Sequence, residues 1–285
     1  MSTDHSEPLR ETLGEFADKL TLLGLFVIAG VFLFPVLLLV LTSFKSRSEI
    51  FTNPLSLPET IQFDNYLNAW TTGGFEQYFF NSVIVVGISL VLILFLSSLA
   101  AYALVQFDFP ANKILFVFFL AGFMIPPQVL LVPLYSIMNV LGLLNTYFSL
   151  IFAYVAFGLP FSIFLLRQFF MTIPDTYAEA ARIDGCNEFQ VFFRVYLPLA
   201  LPALAAVAIY QFVFLWNEFL YAIIFITDDA MRTLPAGLMA FQGQYSADWA
   251  QLFAGIVIAV APTVLFFLLF QRQFIRGISM GGTKG

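Results

Sequence analysis

The chain has 285 residues, of which 60% are hydrophobic and 11% charged, with a mean hydropathy of +0.90. Soluble domains carry about 25% charged residues, so this composition excludes an ordinary soluble domain. A single cysteine, Cys186, excludes an internal disulfide, and the only histidine, His5, lies in the N-terminal tail and leaves no zinc or haem spacing.

Residues 1–19 are polar, with Leu9, Leu13, Phe16 and Leu20 at helical spacing opposite Glu7, Glu11 and Glu15. An acidic face suits anionic lipid poorly, so the segment reads as a cytoplasmic lead-in helix. Long apolar runs then predict six transmembrane helices near 20–44, 79–104, 114–138, 146–170, 199–226 and 250–271. A span needs roughly 20 apolar residues, and the uncharged stretch from Ile114 to Leu166 holds two with a turn between them. The first run is too long for a removed signal peptide and is expected to stay as helix one. Continuous runs argue against a membrane β-barrel, whose strands alternate.

Orientation follows from Lys and Arg. With both termini inside, Arg10, Lys19, Lys113, Arg167, Arg182, Arg194, Arg272, Arg276 and Lys284 are cytoplasmic, against Lys45, Arg47 and Arg232 outside. That bias obeys the positive-inside rule, which barely counts acidic residues, so the net charge of −6 does not disturb it. The expected fold is an all-α membrane protein with one six-helix domain over 20–271, a lead-in over 1–19 and a tail over 272–285. The outer segments 45–78, 139–145 and 227–248 are too short for separate domains.

Helices three to six contain Pro126, Pro127, Pro133, Pro160, Pro202 and Pro262. Each proline removes a backbone donor, and such breaks survive at membrane depth where neighbours or a wet cavity satisfy the freed carbonyls. Pro126-Pro127-Gln128 is the sharpest. Their clustering points to bent helices around a pathway, although any one proline could serve packing alone.

The cytoplasmic loop 172–198 is predicted to hold two short helices. Pro174 suits a first turn, Asp175 favours the positive end of the helix dipole, and Gly185 is placed to end the first helix in a left-handed conformation. Asn187 can cap the second through Phe189, Phe192 and Phe193, which Pro198 closes. Glu179 could pair with a basic group on a partner, or with Arg182 three residues on as an ordinary surface pair.

Glu179-Ala180-Ala181, Gly185, Val195 and Leu197-Pro198 together resemble the coupling loop of ABC-importer permeases. The likeness continues through Asn81-Ser82, Ala100-Ala101-Tyr102-Ala103, Ile125-Pro126-Pro127, Leu141–Thr146, Leu159-Pro160-Phe161, Trp216-Asn217-Glu218-Phe219 and Thr233-Leu234-Pro235, which look like the carbohydrate branch of that family. The ending Gly277–Gly285 resembles the smaller permease subunit of maltose and maltodextrin importers, whose tail reaches between two ATPases. Val195 stands where isoleucine is usual, and Cys186 where a small residue is common.

This resemblance implies a type I importer permease moving a carbohydrate, such as a maltodextrin-type sugar, by alternating access. It implies as partners a second permease, two ABC ATPases and an extracytoplasmic sugar-binding protein in the cytoplasmic membrane, with no nucleic acid. ATP and Mg would sit in the ATPases, because this chain lacks the GxxxxGK[ST] loop, binds no cofactor or metal and is no enzyme. It further assigns ATPase coupling to Glu179, Ala180, Ala181, Gly185, Leu197 and Pro198, an ATPase interface to Gly281, Gly282 and Lys284, and a binding-protein contact to Gly243.

Glu218 is the one carboxylate inside a predicted span. Such a carboxylate faces a cavity or a partner; with Asn217 beside it, it either lines a gate or makes a structural hydrogen bond to a neighbouring helix. Gln128, Gln211 and Trp216, with Tyr210, offer the polar and stacking groups that sugars need, although in the maltose system the larger partner permease holds most of the sugar. An ion-coupled secondary transporter is the main alternative, but it predicts several intramembrane carboxylates or an internal repeat, neither of which the chain has. An intramembrane enzyme would need a Ser/His or paired-Asp constellation that is equally missing.

Overall fold

The structure, a computed structural model, describes residues 7–241 and 248–281, with side chains for 19–239 and 248–271. All regular structure among the described residues is helical. In chain order the α-helices are α1 (Glu7–Ser43), α2 (Arg47–Thr52), α3 (Asp64–Trp70), α4 (Phe75–Gln106), α5 (Asn112–Met124), α6 (Leu131–Val140) and α7 (Tyr147–Phe170). After them come α8 (Asp175–Ile183), α9 (Glu188–Val191), α10 (Leu197–Leu199), α11 (Leu201–Trp216), α12 (Leu220–Phe225), α13 (Leu234–Gly237) and α14 (Trp249–Gly281).

Four of these are long and apolar enough to cross a membrane: α1 from Lys19, α4, α7 and α14 to Gln271. Two bent pairs raise the number to as many as six. The expected span 114–138, with its sharpest proline break at Pro126-Pro127, turns by 91° at Ile125–Pro126, where Ile125 and Pro126 are extended and a 3₁₀ turn over Pro127–Leu130 leads into α6. Two consecutive missing donors make this the natural breaking point. Pro160 and Pro262, by contrast, sit within continuous helices. The expected span 199–226 departs at both ends. It begins with a 74° bend at Ala200 and breaks at Asn217–Phe219.

The lead-in is not a separate helix: its described part, from Glu7, is continuous with the first span. Likewise α14 runs beyond Gln271 to Gly281, so Gly281 is its last residue. Gly243, Gly282 and Lys284 lie outside the described residues.

Tight packing concentrates between α4 and α7, where Ser89, Ser97, Ser98, Ser149 and Ser162 are buried. Small residues let helix backbones approach without apolar bulk. At Gly158 a Cβ would fall 2.4 Å from Ile93 Cδ1, so no larger residue fits without repacking. Two apolar clusters result. One joins Phe75, Val85, Ile93, Tyr154, Trp216 and Phe225; the other joins Tyr102, Leu166, Phe170, Phe192 and Tyr196 beneath the 172–198 loop. The outward faces of α1, α4 and α5 carry exposed Phe26, Phe32, Val91 and Phe118, as lipid-facing helices should.

The outer segments are stitched to the bundle by amides and hydroxyls. Asn81 donates from Nδ2 to the carbonyls of Ala230 (2.9 Å) and Arg232 (2.8 Å), and Ser82 Oγ accepts from Leu234 N (2.7 Å). The fully buried Lys45 donates from Nζ to the carbonyls of Asn53 and Pro54, both at 2.9 Å, closing the end of α2.

Candidate functional site

The 172–198 loop folds nearly as its residues suggest. Pro174 is extended and occupies the cap position, so α8 starts one residue later, at Asp175. Gly185, at φ +85°, ends it. Gly185 N donates to Arg182 O and Cys186 N to Ala181 O, each at 3.0 Å, which is the paired hydrogen bonding of a Schellman motif. A Cβ here would meet nothing within 4 Å, so the cost of a side chain is conformational. Gly185→Val should destabilise the elbow by about 1–2 kcal/mol, seen as faster amide exchange at position 185 and at Cys186 with little change in overall melting.

Asn187 caps α9 reciprocally with Gln190, each backbone N donating to the other's side chain at 2.9 Å. The chain does not stop at Pro198. A π turn over Phe192–Tyr196 precedes α10, and Leu197 N reaches back to Phe192 O. This widened turn absorbs the donor that Pro198 lacks. Leu197 is half-buried and Pro198 exposed.

The elbow has two unlike sides. Ala178, Val191, Phe192 and Tyr196 are buried against Leu166 and Phe170 of α7 and Tyr102 of α4. Tyr196 packs its ring 5.0 Å from Tyr102 and 5.5 Å from Phe170. On the other side Glu179 and Ala180 are exposed, Ile183 is 86% exposed and Phe189 71%, while Ala181 is half-buried. Only half of the aromatic segment is therefore an anchor: Phe189 and Phe193 point away from the core.

Glu179 makes no ion pair or hydrogen bond to a described residue, and Arg182 turns instead to Glu188. Arg182 Nε donates to Glu188 Oε1 (2.8 Å), and its Nη2 to Gln106 Oε1 (3.0 Å). Tyr102 donates to Glu188 Oε2 (2.7 Å). The Arg182 hydrogen bond, and then that from Tyr102, hold the Glu188 carboxyl below the ordinary carboxylate range. A depressed carboxylate stabilises at pH above its ordinary value and loses that contribution as pH falls through the lowered one. Both side chains are more than a third exposed, so the contribution is small.

A second candidate lies at the broken helix. Glu218 accepts from Tyr154 Oη of α7 (2.7 Å), from Tyr221 N (2.8 Å) and from Ala222 N (3.2 Å), so it caps the start of α12 and ties it to α7. It also lines a pocket of about 390 Å³ with Gln128, Asn217, Phe157, Phe214 and Tyr221. The two readings of Glu218 thus coexist: it makes a structural hydrogen bond to a neighbouring helix and faces a cavity. An apolar pocket of about 300 Å³ adjoins it and shares Pro127, Phe157 and Phe214. There the rings of Phe161 and Tyr210 pack at a tilt, their centroids 4.2 Å apart.

Gln128 and Asn217 are exposed in the first pocket. Gln211 reaches only the apolar one, buried, its amide donating to Gly158 O (3.0 Å) and Ser162 Oγ (2.9 Å). Trp216 borders neither; its indole donates to Ala259 O (2.9 Å). The network of Tyr102, Gln106 and Glu188 was not singled out from the sequence. Only the Tyr102 motif signalled it.

The family model described as "binding-protein-dependent transport system inner membrane component" matches residues 93–280. The chain is 45% identical over 252 residues to the probable ABC transporter permease protein YurM of Bacillus subtilis, covering 88% of this chain and 84% of that protein. It is 43% identical over 249 residues to the diacetylchitobiose uptake system permease protein NgcG of Streptomyces coelicolor, with coverages of 87% and 82%. Among solved structures, a chain of a bacterial ABC transporter involved in import of the acidic polysaccharide alginate superposes with a TM-score of 0.75 at 22% identity, over 96% of this chain and 99% of that one.

Proposed function

The chain belongs to the family of binding-protein-dependent transport system inner membrane components, and from that premise we propose that it is the permease subunit of an ATP-driven importer of oligosaccharides. It is a transport component rather than an enzyme. Six spans, counting each bent pair as one, cross the inner membrane with both termini in the cytoplasm. A second permease completes the pathway. An extracytoplasmic binding protein delivers the sugar, and two ABC ATPases bind ATP and Mg. Relatives named for diacetylchitobiose and for arabinooligosaccharides support the substrate class; a maltodextrin is one member of it.

The observation that carries the reading is the two-sided elbow. Its buried side is fixed to the bundle, while Glu179, Ala180 and Ile183 of α8 and Phe189 of α9 are left exposed. Exposed apolar side chains beside a carboxylate that has no partner among the described residues are suited to a protein partner. Closure of the ATPases on ATP moves the elbow, and the spans switch between two access states. The pathway runs by Gln128, Asn217 and Glu218, and Gly243 and the C-terminal tail, with Gly281, Gly282 and Lys284, reach the binding protein and the ATPases respectively.

The test is uptake of labelled gluco-, arabino- and chito-oligosaccharides into cells carrying the intact system. Uptake should stop when the phosphate-loop lysine of the co-purifying ATPase is replaced. It should continue when a protonophore collapses the proton gradient at constant ATP. Uptake that follows the gradient instead would make the chain a secondary transporter.

A further inference from the structure

The elbow is joined by covalent chain to α7 and α11, yet its polar contacts go elsewhere. Arg182 and Glu188, six residues apart across Gly185, form a two-residue bridge whose outer ends are Gln106 and Tyr102 on the last turns of α4. Gln106 Nε2 also donates to Tyr196 Oη and lies 3.5 Å from Asp175 Oδ1 at the start of α8. The rings of Tyr102, Phe192 and Tyr196 close beneath it. One end of α4 is therefore bonded to α8, α9 and the π turn at once.

We propose that Tyr102, Gln106, Arg182 and Glu188 form a clamp that makes the inner end of α4 move as one body with the ATPase-facing elbow. The proposal rests on the functional reading above. Without the clamp, force from the elbow reaches α4 only through non-directional apolar packing. With it, directional hydrogen bonds also carry force to α4, which packs along α7 for most of its length and whose outer end holds the third outer segment through Asn81 and Ser82. Arg182 and Glu188 are positioning residues here. They contact neither pocket, and their charge-assisted hydrogen bonds are short and directional, which fixes the register of the elements they join more than it stabilises them. The elbow's two ends then cannot shift independently of α4, which is what a two-state element shared by both faces requires.

The experiment uses the whole complex, purified with its co-purifying ATPase, in a Cys186→Ser background with nitroxide labels at Asp108→Cys and Asp184→Cys. Pulsed electron–electron distances are recorded without nucleotide and with ATP and vanadate. With the clamp intact the two distributions should coincide. In Glu188→Ala, and to a lesser degree in Tyr102→Phe, they should separate by about 2 Å or more. The charge swap Arg182→Glu with Glu188→Arg should bring them together again, an outcome that a generally loosened fold would not give. A distance that changes with nucleotide in the otherwise unaltered complex overturns the clamp, as does an unchanged distance in Glu188→Ala. Loss of the ATPase from Glu188→Ala complexes also overturns it, by placing Glu188 on the docking surface. If no ATPase accompanies even the unaltered chain, the functional reading itself falls.

Discussion

Glu179→Lys is expected to abolish ATP-driven uptake while leaving the subunit folded and inserted. The carboxylate lies in the middle of α8, exposed and without a described partner. Its loss removes no hydrogen bond or ion pair to a described residue. The new lysine stands three residues from Arg182, a like-charge proximity worth only a few tenths of a kcal/mol on a helix surface, about 0.2–0.5. Stability should therefore barely move. At a docked interface the same change breaks a charge pair and buries a cation without a partner, which costs on the order of 2–5 kcal/mol. Converted at about 1.4 kcal/mol per tenfold, that is a loss of ATPase affinity large enough to silence transport. Co-purification of the ATPase, its stimulation by sugar-loaded binding protein, and thermal melting of the subunit check the three parts. Normal stimulation with a normally assembled complex would remove Glu179 from the interface.

How far residues alone lead is visible at particular places. The spans were legible because charge-free runs leave few other options in a bilayer, and the Gly185 elbow because a left-handed helix end selects glycine. The 91° turn was legible as a break at Pro126-Pro127 but not as a size, since two missing donors say where a helix stops and not where the chain goes next. The directions that Trp216 and Gln211 take were not legible, because a helix apolar on every side gives no sign of which face its polar atoms take. In the fold Gln211 turns toward Gly158 and Trp216 toward Ala259. Arg182 chose Glu188 over Glu179 for a reason absent from local spacing. Tyr102 and Gln106, some eighty positions earlier, converge on the same two side chains.

Glu218 offers the second large effect, and a pair of substitutions separates its two roles. Glu218→Ala leaves three donors without an acceptor: Tyr154 Oη, Tyr221 N and Ala222 N. Each buried orphan costs about 1–3 kcal/mol. The adjoining pocket of about 390 Å³ can admit water to some of them, so the net loss should be on the order of 2–4 kcal/mol. The start of α12 would then lose its tether to α7. Glu218→Gln keeps a carbonyl oxygen that can accept at the same place, at the expense of one acceptor. Its melting temperature should lie between those of the parent and of Glu218→Ala. If Glu218 acts as a scaffold, Glu218→Gln should retain most uptake and Glu218→Ala should lose it, with both losses following stability. A Gln variant that melts like the parent but does not transport would instead make the charge itself part of the gate, because the hydrogen-bonding frame would have survived and the function would not.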